Sequence, residues 1–249
     1  MLPLEDGTTL PLLYHLNSEP WMNFEAYAEH AYEVEFKREE GIGDPVALPK
    51  PDEGSRLWQL LARRRSCRKF APRSLPPAML GTVLGGAYGL TNTTLLPSGF
   101  RFHSRSVPSA GGLYPLEMYL ITQRVEGVSD GVHHYEVATR LLRPVRAVPT
   151  QEELVQLLLA QEFLENANAV IFLAAVFRRT LSKYGSRGYR YVLLEAGHVA
   201  QNLCLLAAEL NLGSLCIGGF WDSRINRFLG LDGIHEAVVY SVGIGHSAD

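Results

Sequence analysis

Three short stretches of the sequence bring together side chains that could do chemistry. The first, Arg63-Arg64-Arg65-Ser66-Cys67-Arg68-Lys69-Phe70, gathers five cations around one hydroxyl. Alternate residues of an extended segment point the same way, and guanidinium forks match phosphate oxygens, so Arg64, Ser66 and Arg68 can grip one phosphate together. A solvated basic patch would have the same composition. The second stretch, Pro108-Ser109-Ala110-Gly111-Gly112, offers small residues and backbone N–H groups that let a flat ring or an anion come close. An ordinary turn would also use such a glycine pair. The third is Lys183-Tyr184, where an amine beside a phenol could move a proton. A surface lysine next to a packed ring is the plainer alternative.

The elements that must position these groups centre on a helix expected from Tyr189 to Leu210. That segment has no Pro, its only Gly is Gly197, and it is rich in Leu and Ala. Apolar residues run all round its wheel, which marks a buried helix. Tyr191, Glu195, His198 and Asn202 nevertheless fall on one face. They would form either a satisfied hydrogen-bond network in a core or subunit contact, or part of a site. Asn211-Leu-Gly stops the helix, and Ser214 to Phe220 reads as a buried strand leading into Gly218-Gly219. There is no GxGxxG after a strand and no P-loop.

Upstream, helices are expected over Leu57–Arg64 and from Pro76-Pro77 to Tyr88, with Thr91 to Ser109 irregular. Tyr114 to Ile121 should hold a helical turn or enter a strand, with a second strand over Val132–Val145 pairing with it. Thr150 and Glu153 form a capping box for a helix over Gln151–Glu162. Ala169 to Phe177 reads as a buried strand, Asp222 as the cap of a short helix ending near Gly230, and Glu236 to Gly243 as the last strand. The expected class is α+β, with a mostly antiparallel sheet surrounded by helices. Residues 1–55 read as an arm and linker, with a helix over Trp21–Glu40 and the proline-bearing DPVALPKPDEGS, and residues 56–249 as the main body. The arm's Tyr14, Trp21, Phe24, Tyr27 and Tyr32 need a body or a second subunit to cover them.

Bulk properties narrow the function classes. Hydrophobic content of 47%, charged content of 20% and a net charge of −3 suit a soluble protein and argue against a nucleic-acid binder. Cys67, Cys204 and Cys216 show no CxxC pairing and read as reduced core thiols. Glu5 and Asp6 near the start do not make a signal peptide, and no membrane span is expected, so the expected location is cytoplasmic. His103, His133, His134 and His198 lack metal-ligand spacing, and no metal is expected.

The segments RRSCRKF, PSAGGLYPLEMYL and KYGSRGYRYVLLEAGHVAQNLCLLAAELNLGSLCIGGF, in this order, resemble the flavin-dependent nitroreductase superfamily over about residues 57–245. Within it they are similar to the SagB-type branch, the azoline dehydrogenases that convert thiazoline or oxazoline rings of ribosomal peptides to azoles. YHLNSEP at Tyr14–Pro20 is similar to a segment that precedes the domain in that branch. The resemblance implies a nitroreductase-like homodimer with two FMN molecules in clefts between the subunits. Arg64, Ser66 and Arg68 would hold the ribityl phosphate, with Arg187 or Arg190 supplying a second charge. Pro108, Ser109, Ala110 and Gly111 would come from the other subunit along the isoalloxazine ring. Gly218 and Gly219 would lie near its N5 and O4 edge, with Asn202 nearby.

Lys183-Tyr184 matches the Lys–Tyr pair associated with azoline oxidation in that branch. A base must take a carbon-bound proton while the flavin accepts a hydride. Burial and the cations Arg178, Arg179 and Arg187 would favour a neutral lysine. Tyr184 would orient the ring or relay the proton. The implied partners are a heterocyclised peptide and a cyclodehydratase complex. Two other readings are a general NAD(P)H-dependent reductase of nitro compounds or quinones and a non-catalytic docking subunit.

Overall fold

A computed structural model describes residues 9–19, 36–37, 42–95, 97–99, 101–158 and 164–248. In chain order these residues form α1 (Thr9–Asn17), α2 (Arg56–Arg63), α3 (Pro77–Tyr88), β1 (Leu90–Leu95), β2 (Arg101–Arg105), a 3-10 turn (Ala110–Gly112) and β3 (Leu116–Thr122). Then come β4 (Gly131–Glu136), β5 (Leu141–Ala147), α4 (Gln151–Leu157), β6 (Ala169–Val176), α5 (Arg178–Tyr184), α6 (Arg187–Glu209), β7 (Gly213–Ile217), α7 (Asp222–Leu229) and β8 (Glu236–Gly245).

Every residue of β6, AVIFLAAV, is buried, as a continuously apolar strand requires when both sheet faces are covered. Alternation sends Ile171 and Leu173 into a cluster with α3 and α6. Val170 and Phe172 face the opposite way, into a cluster with α4 and α7. The six strands around β6 run β5-β4-β3-β6-β8-β7. Each neighbouring pair is antiparallel, so the α+β class with an antiparallel sheet between helices holds.

Both edges of this sheet are guarded. On β5, Pro144 lacks an N–H and Arg143 and Arg146 keep the strand charged, with nearly all of it exposed. Beyond β7, Ser66 forms a parallel bridge to Ser214, and the Cys67 N–H donates to the Ser214 carbonyl at 2.9 Å.

Several elements depart from the sequence expectation. Thr91 to Ser109 is not irregular throughout, because β1 and β2 pair as a separate antiparallel ribbon. LTNTTL is exposed along its length, so no alternation announced it. The single strand over Val132–Val145 is a hairpin, β4 and β5, whose turn has Arg140 at φ 60° instead of a Gly or Asn. Lys183-Tyr184 lies within a helix, α5. Gly188 lets α6 cross it: a Cβ there would meet the Thr180 carbonyl at 3.0 Å. Asp222 is not a cap, since Trp221 holds that position without a side-chain bond. Cys216 is exposed, not a core thiol.

The Thr150–Glu153 capping box is formed, and the expected continuation of that helix to Glu162 lies outside the described residues. The helix expected over Trp21–Glu40 lies, but for 36–37, outside them too, with Trp21, Phe24, Tyr27 and Tyr32. Of the arm, α1 packs onto the body: His15 is buried, its Nδ1 3.1 Å from the Tyr189 hydroxyl, while Tyr14 stays 61% exposed.

Candidate functional site

The sequence-selected residues fall into two groups, one toward each end of α6. At its C-terminal end, the chain leaving α2 lies against the start of β7 and encloses a recess of about 420 Å³ lined by Arg63, Arg64, Arg65, Ser66, Gly213 and Ser214, among others. Arg63 donates to the Ala208 carbonyl, and Arg65 Nη1 to the Arg64 carbonyl at 2.9 Å. Arg64 is half-buried and Ser66 exposed. Arg68 is exposed and lies outside the recess lining. Cationic forks and a hydroxyl around an open hollow are the donor set a phosphate needs.

β7 leads from this recess to Gly218, which is exposed, and Gly219. A Cβ on Gly218 would meet only the Tyr240 ring, at 3.9 Å, so a flat group can lie on the backbone there. Asn202 is turned to α3, its Nδ2 3.4 Å from the Ala87 carbonyl.

The other group gathers at the N-terminal end of α6. Gly111, at φ 65°, has no room for a side chain: a Cβ would stand 2.8 Å from the Tyr184 hydroxyl and 2.9 Å from Lys183 Nζ. The fold thus seats the expected Lys–Tyr pair directly on the expected Ser109-Ala110-Gly111 turn. Tyr184 is braced edge-on by Tyr191, centroids 5.1 Å apart. Ser109 Oγ accepts from the Tyr114 N–H at 2.9 Å, and Pro108 is exposed. Lys183 is exposed too, so the burial expected for it is not met within one chain. Arg179 is also committed elsewhere, in an ion pair with Glu117 at 2.6 Å. Arg187 begins α6, exposed and at the far end from Arg64 and Ser66.

Beneath the turn lies a polar network that the sequence only partly disclosed. Glu195, from the polar stripe, is 2% exposed and accepts from the Tyr88 hydroxyl at 2.8 Å. Burial pushes its carboxyl above the usual range, against hydrogen bonds from Ser109 and Tyr88 and the nearby Arg105. Tyr88 is raised strongly by its own burial and by Glu195, and its oxygen also accepts the Leu116 N–H at 3.2 Å. The Arg105 guanidinium lies 4.3 Å over the Tyr88 ring and 5.0 Å from that of Tyr114. Sequence reasoning missed Tyr88, Arg105 and Glu117. Tyr88 closes a mostly apolar helix and Arg105 sits in a segment read as irregular, so neither carried a local signal. Burial works to raise Glu117, but bonds from His134 and Arg179 outweigh it and hold the carboxyl low. Among the described residues, no three His, Cys, Asp or Glu side chains form a cluster suited to a metal.

The model of the nitroreductase family matches residues 61–246. A Methanocaldococcus jannaschii protein named as a nitroreductase, MJ1384, is 38% identical over 76% of this chain and 91% of its own length. The microcin B17-processing protein McbC of Escherichia coli is 32% identical over 51% of this chain and 49% of its own, so the match spans only about half of that relative. A chain from the E. coli microcin synthetase McbBCD complex, solved with truncated pro-MccB17 bound, superposes with a TM-score of 0.71 at 24% identity. That superposition covers 100% of this chain and 99% of the other, and it bears on the fold alone.

Proposed function

This chain belongs to the nitroreductase family, and on that premise we propose that it is an FMN-dependent oxidoreductase. It works as a homodimer and dehydrogenates thiazoline or oxazoline rings of a heterocyclised peptide. The observation that carries this reading is the seating of Lys183 Nζ and the Tyr184 hydroxyl on Gly111, which puts a base and a proton relay on the turn that would line a bound ring. The chain's residues fit FMN: the cationic recess suits its phosphate, and the uncrowded backbone at Gly218 suits its ring. When bound, the flavin supplies the two-electron acceptor. Lys183 takes the carbon-bound proton, and Tyr184, held by Tyr191, orients the substrate ring or passes the proton on. Arg64 and Ser66 hold the phosphate, with Arg68 lending charge from outside the recess.

The same geometry argues for two chains per site. From Tyr191, on which Tyr184 packs, to Ala208, in the recess wall, α6 rises about 25 Å. A flavin anchored by one chain's Arg64 therefore receives Lys183 and Tyr184 from the other. The peptide class rests on the similarity to McbC, and a cyclodehydratase is the implied partner because it would generate the azoline.

The test is Lys183→Ala. The variant should keep its yellow colour and lose azoline oxidation, and unchanged turnover of an azoline peptide would remove Lys183 from the mechanism. A general NAD(P)H-dependent nitro or quinone reductase is the second reading, favoured by the 91% coverage of MJ1384 against 49% of McbC. Rapid flavin bleaching by NADPH, with no azoline turnover, would select it. A protein that stays colourless after incubation with FMN would instead point to a docking subunit.

A further inference from the structure

Cys204 on α6 and Cys216 on β7 hold their sulfurs 3.5 Å apart, and the flavin reading uses neither. They differ in access: Cys204 is 3% exposed, whereas Cys216 opens to solvent. Three groups face Cys216 from three elements: the Cys204 thiol from α6, the Tyr240 hydroxyl from β8 and the Arg64 guanidinium from the segment after α2. Each favours a thiolate. The hydrogen bond from Cys204 does most to lower Cys216, and Tyr240 and Arg64 assist against partial burial. Cys204 is held up as a thiol by that same bond and by its burial.

We propose that Cys204 and Cys216 form a hydroperoxide-reactive dithiol, with Cys216 the attacking sulfur and Cys204 the resolving one. The Cys216 thiolate attacks one peroxide oxygen. The O–O bond breaks, the departing oxygen takes up a proton and leaves as an alcohol or water, and Cys216 becomes a sulfenic acid. The Cys204 sulfur then attacks the Cys216 sulfur. The S–O bond breaks, and water leaves carrying the Cys204 proton. In sum, two thiols and one hydroperoxide give a disulfide, an alcohol and water, with two electrons passing from sulfur to the peroxide. Closing 3.5 Å to a disulfide bond of about 2.05 Å asks for side-chain rotation and a small approach of α6 to β7. Cys67 is the internal control, its sulfur 3.2 Å from the Lys69 carbonyl and paired with no other thiol.

The experiment treats the purified protein with a few equivalents of hydrogen peroxide, quenches by alkylation and maps peptides by mass spectrometry. A Cys204–Cys216 cross-linked peptide should appear while Cys67 stays alkylated, and dithiothreitol should restore both thiols. In Cys204→Ser, dimedone should label Cys216. In Cys216→Ser, Cys204 should stay unreacted. The alkylation rate of Cys216 should rise with pH through a midpoint below the ~8.5 of a free thiol. Oxidation of Cys67 as fast as Cys216, or overoxidised Cys216 beside a free Cys204 in the unmodified chain, would overturn the proposal. Arg64 also lines the recess proposed for the flavin phosphate, so the treatment is run with and without bound FMN. Sulfur oxidation and flavin content are read separately, and a failure of either reading is a distinct result.

Discussion

At position 111 the left-handed backbone and the closeness of Lys183 and Tyr184 act together. Gly111→Ala should displace both side chains. Because a shift of about 1 Å in a positioning group can cost roughly a hundredfold, kcat should fall by between about ten- and a hundredfold. Steady-state kinetics on an azoline peptide would show it. Glu195 acts one layer below, as the acceptor for Tyr88 and Ser109. Glu195→Gln keeps an acceptor oxygen and should be close to neutral, whereas Glu195→Ala leaves buried hydroxyls unmatched and should cost about 1–3 kcal/mol in urea unfolding. Equal stability of the two variants would show that the carboxyl is not holding the turn from beneath. At this scale the sequence was readable where chemistry is local: a hydroxyl among arginines, or a lysine beside a tyrosine. It was silent where the partner is remote, as with Tyr88, which meets Glu195 from 107 residues away.

Elements with a repeating pattern or a terminal signature were legible. The eight apolar residues of β6, the long wheel of α6 and the Thr150–Glu153 box all announced themselves. β1 and β2 did not, because β1 is exposed throughout and β2 is only partly covered, so neither needs alternation, and α5 is too short to display a period. Where a pattern held but its end was misjudged, as at α7, the displaced residue took on another character. Asp222, expected as a cap, is partly buried instead, and burial raises its carboxyl to about 6. A carboxyl raised in the folded state binds a proton that the unfolded chain has already released. It therefore favours the fold at low pH, and that contribution is lost as pH rises from the ordinary ~3.9 through about 6. Asp222→Asn should consequently raise the melting temperature at pH 7.5 and leave it nearly unchanged below pH ~4. An identical effect at both pH values would contradict this assignment.

Taken as a body, the chain separates its arginine-lined recess from its Lys–Tyr pair by most of a long helix, and this makes a complementation test available. Arg64→Ala and Lys183→Ala should each be inactive alone. Mixed, unfolded and refolded together, they should regain about a quarter of native activity, since half of the dimers are hybrids and each hybrid carries one intact site. No recovery would mean that each chain serves its own flavin. The surface offers a place for such pairing: Leu57 and Leu61 of α2 and Leu194 of α6 are apolar and more than two-fifths exposed. The guarded margins of the sheet bear on the same question from another side. Pro144 and its arginines along one border and the Ser66 bridge along the other make it harder for neighbouring copies to lengthen the six-stranded sheet into a fibre. The proposed dimer would then form through the helical flanks, where contact can close after two members instead of running on. Replacing Pro144 with valine should therefore change the solubility limit of concentrated protein well before it changes catalysis.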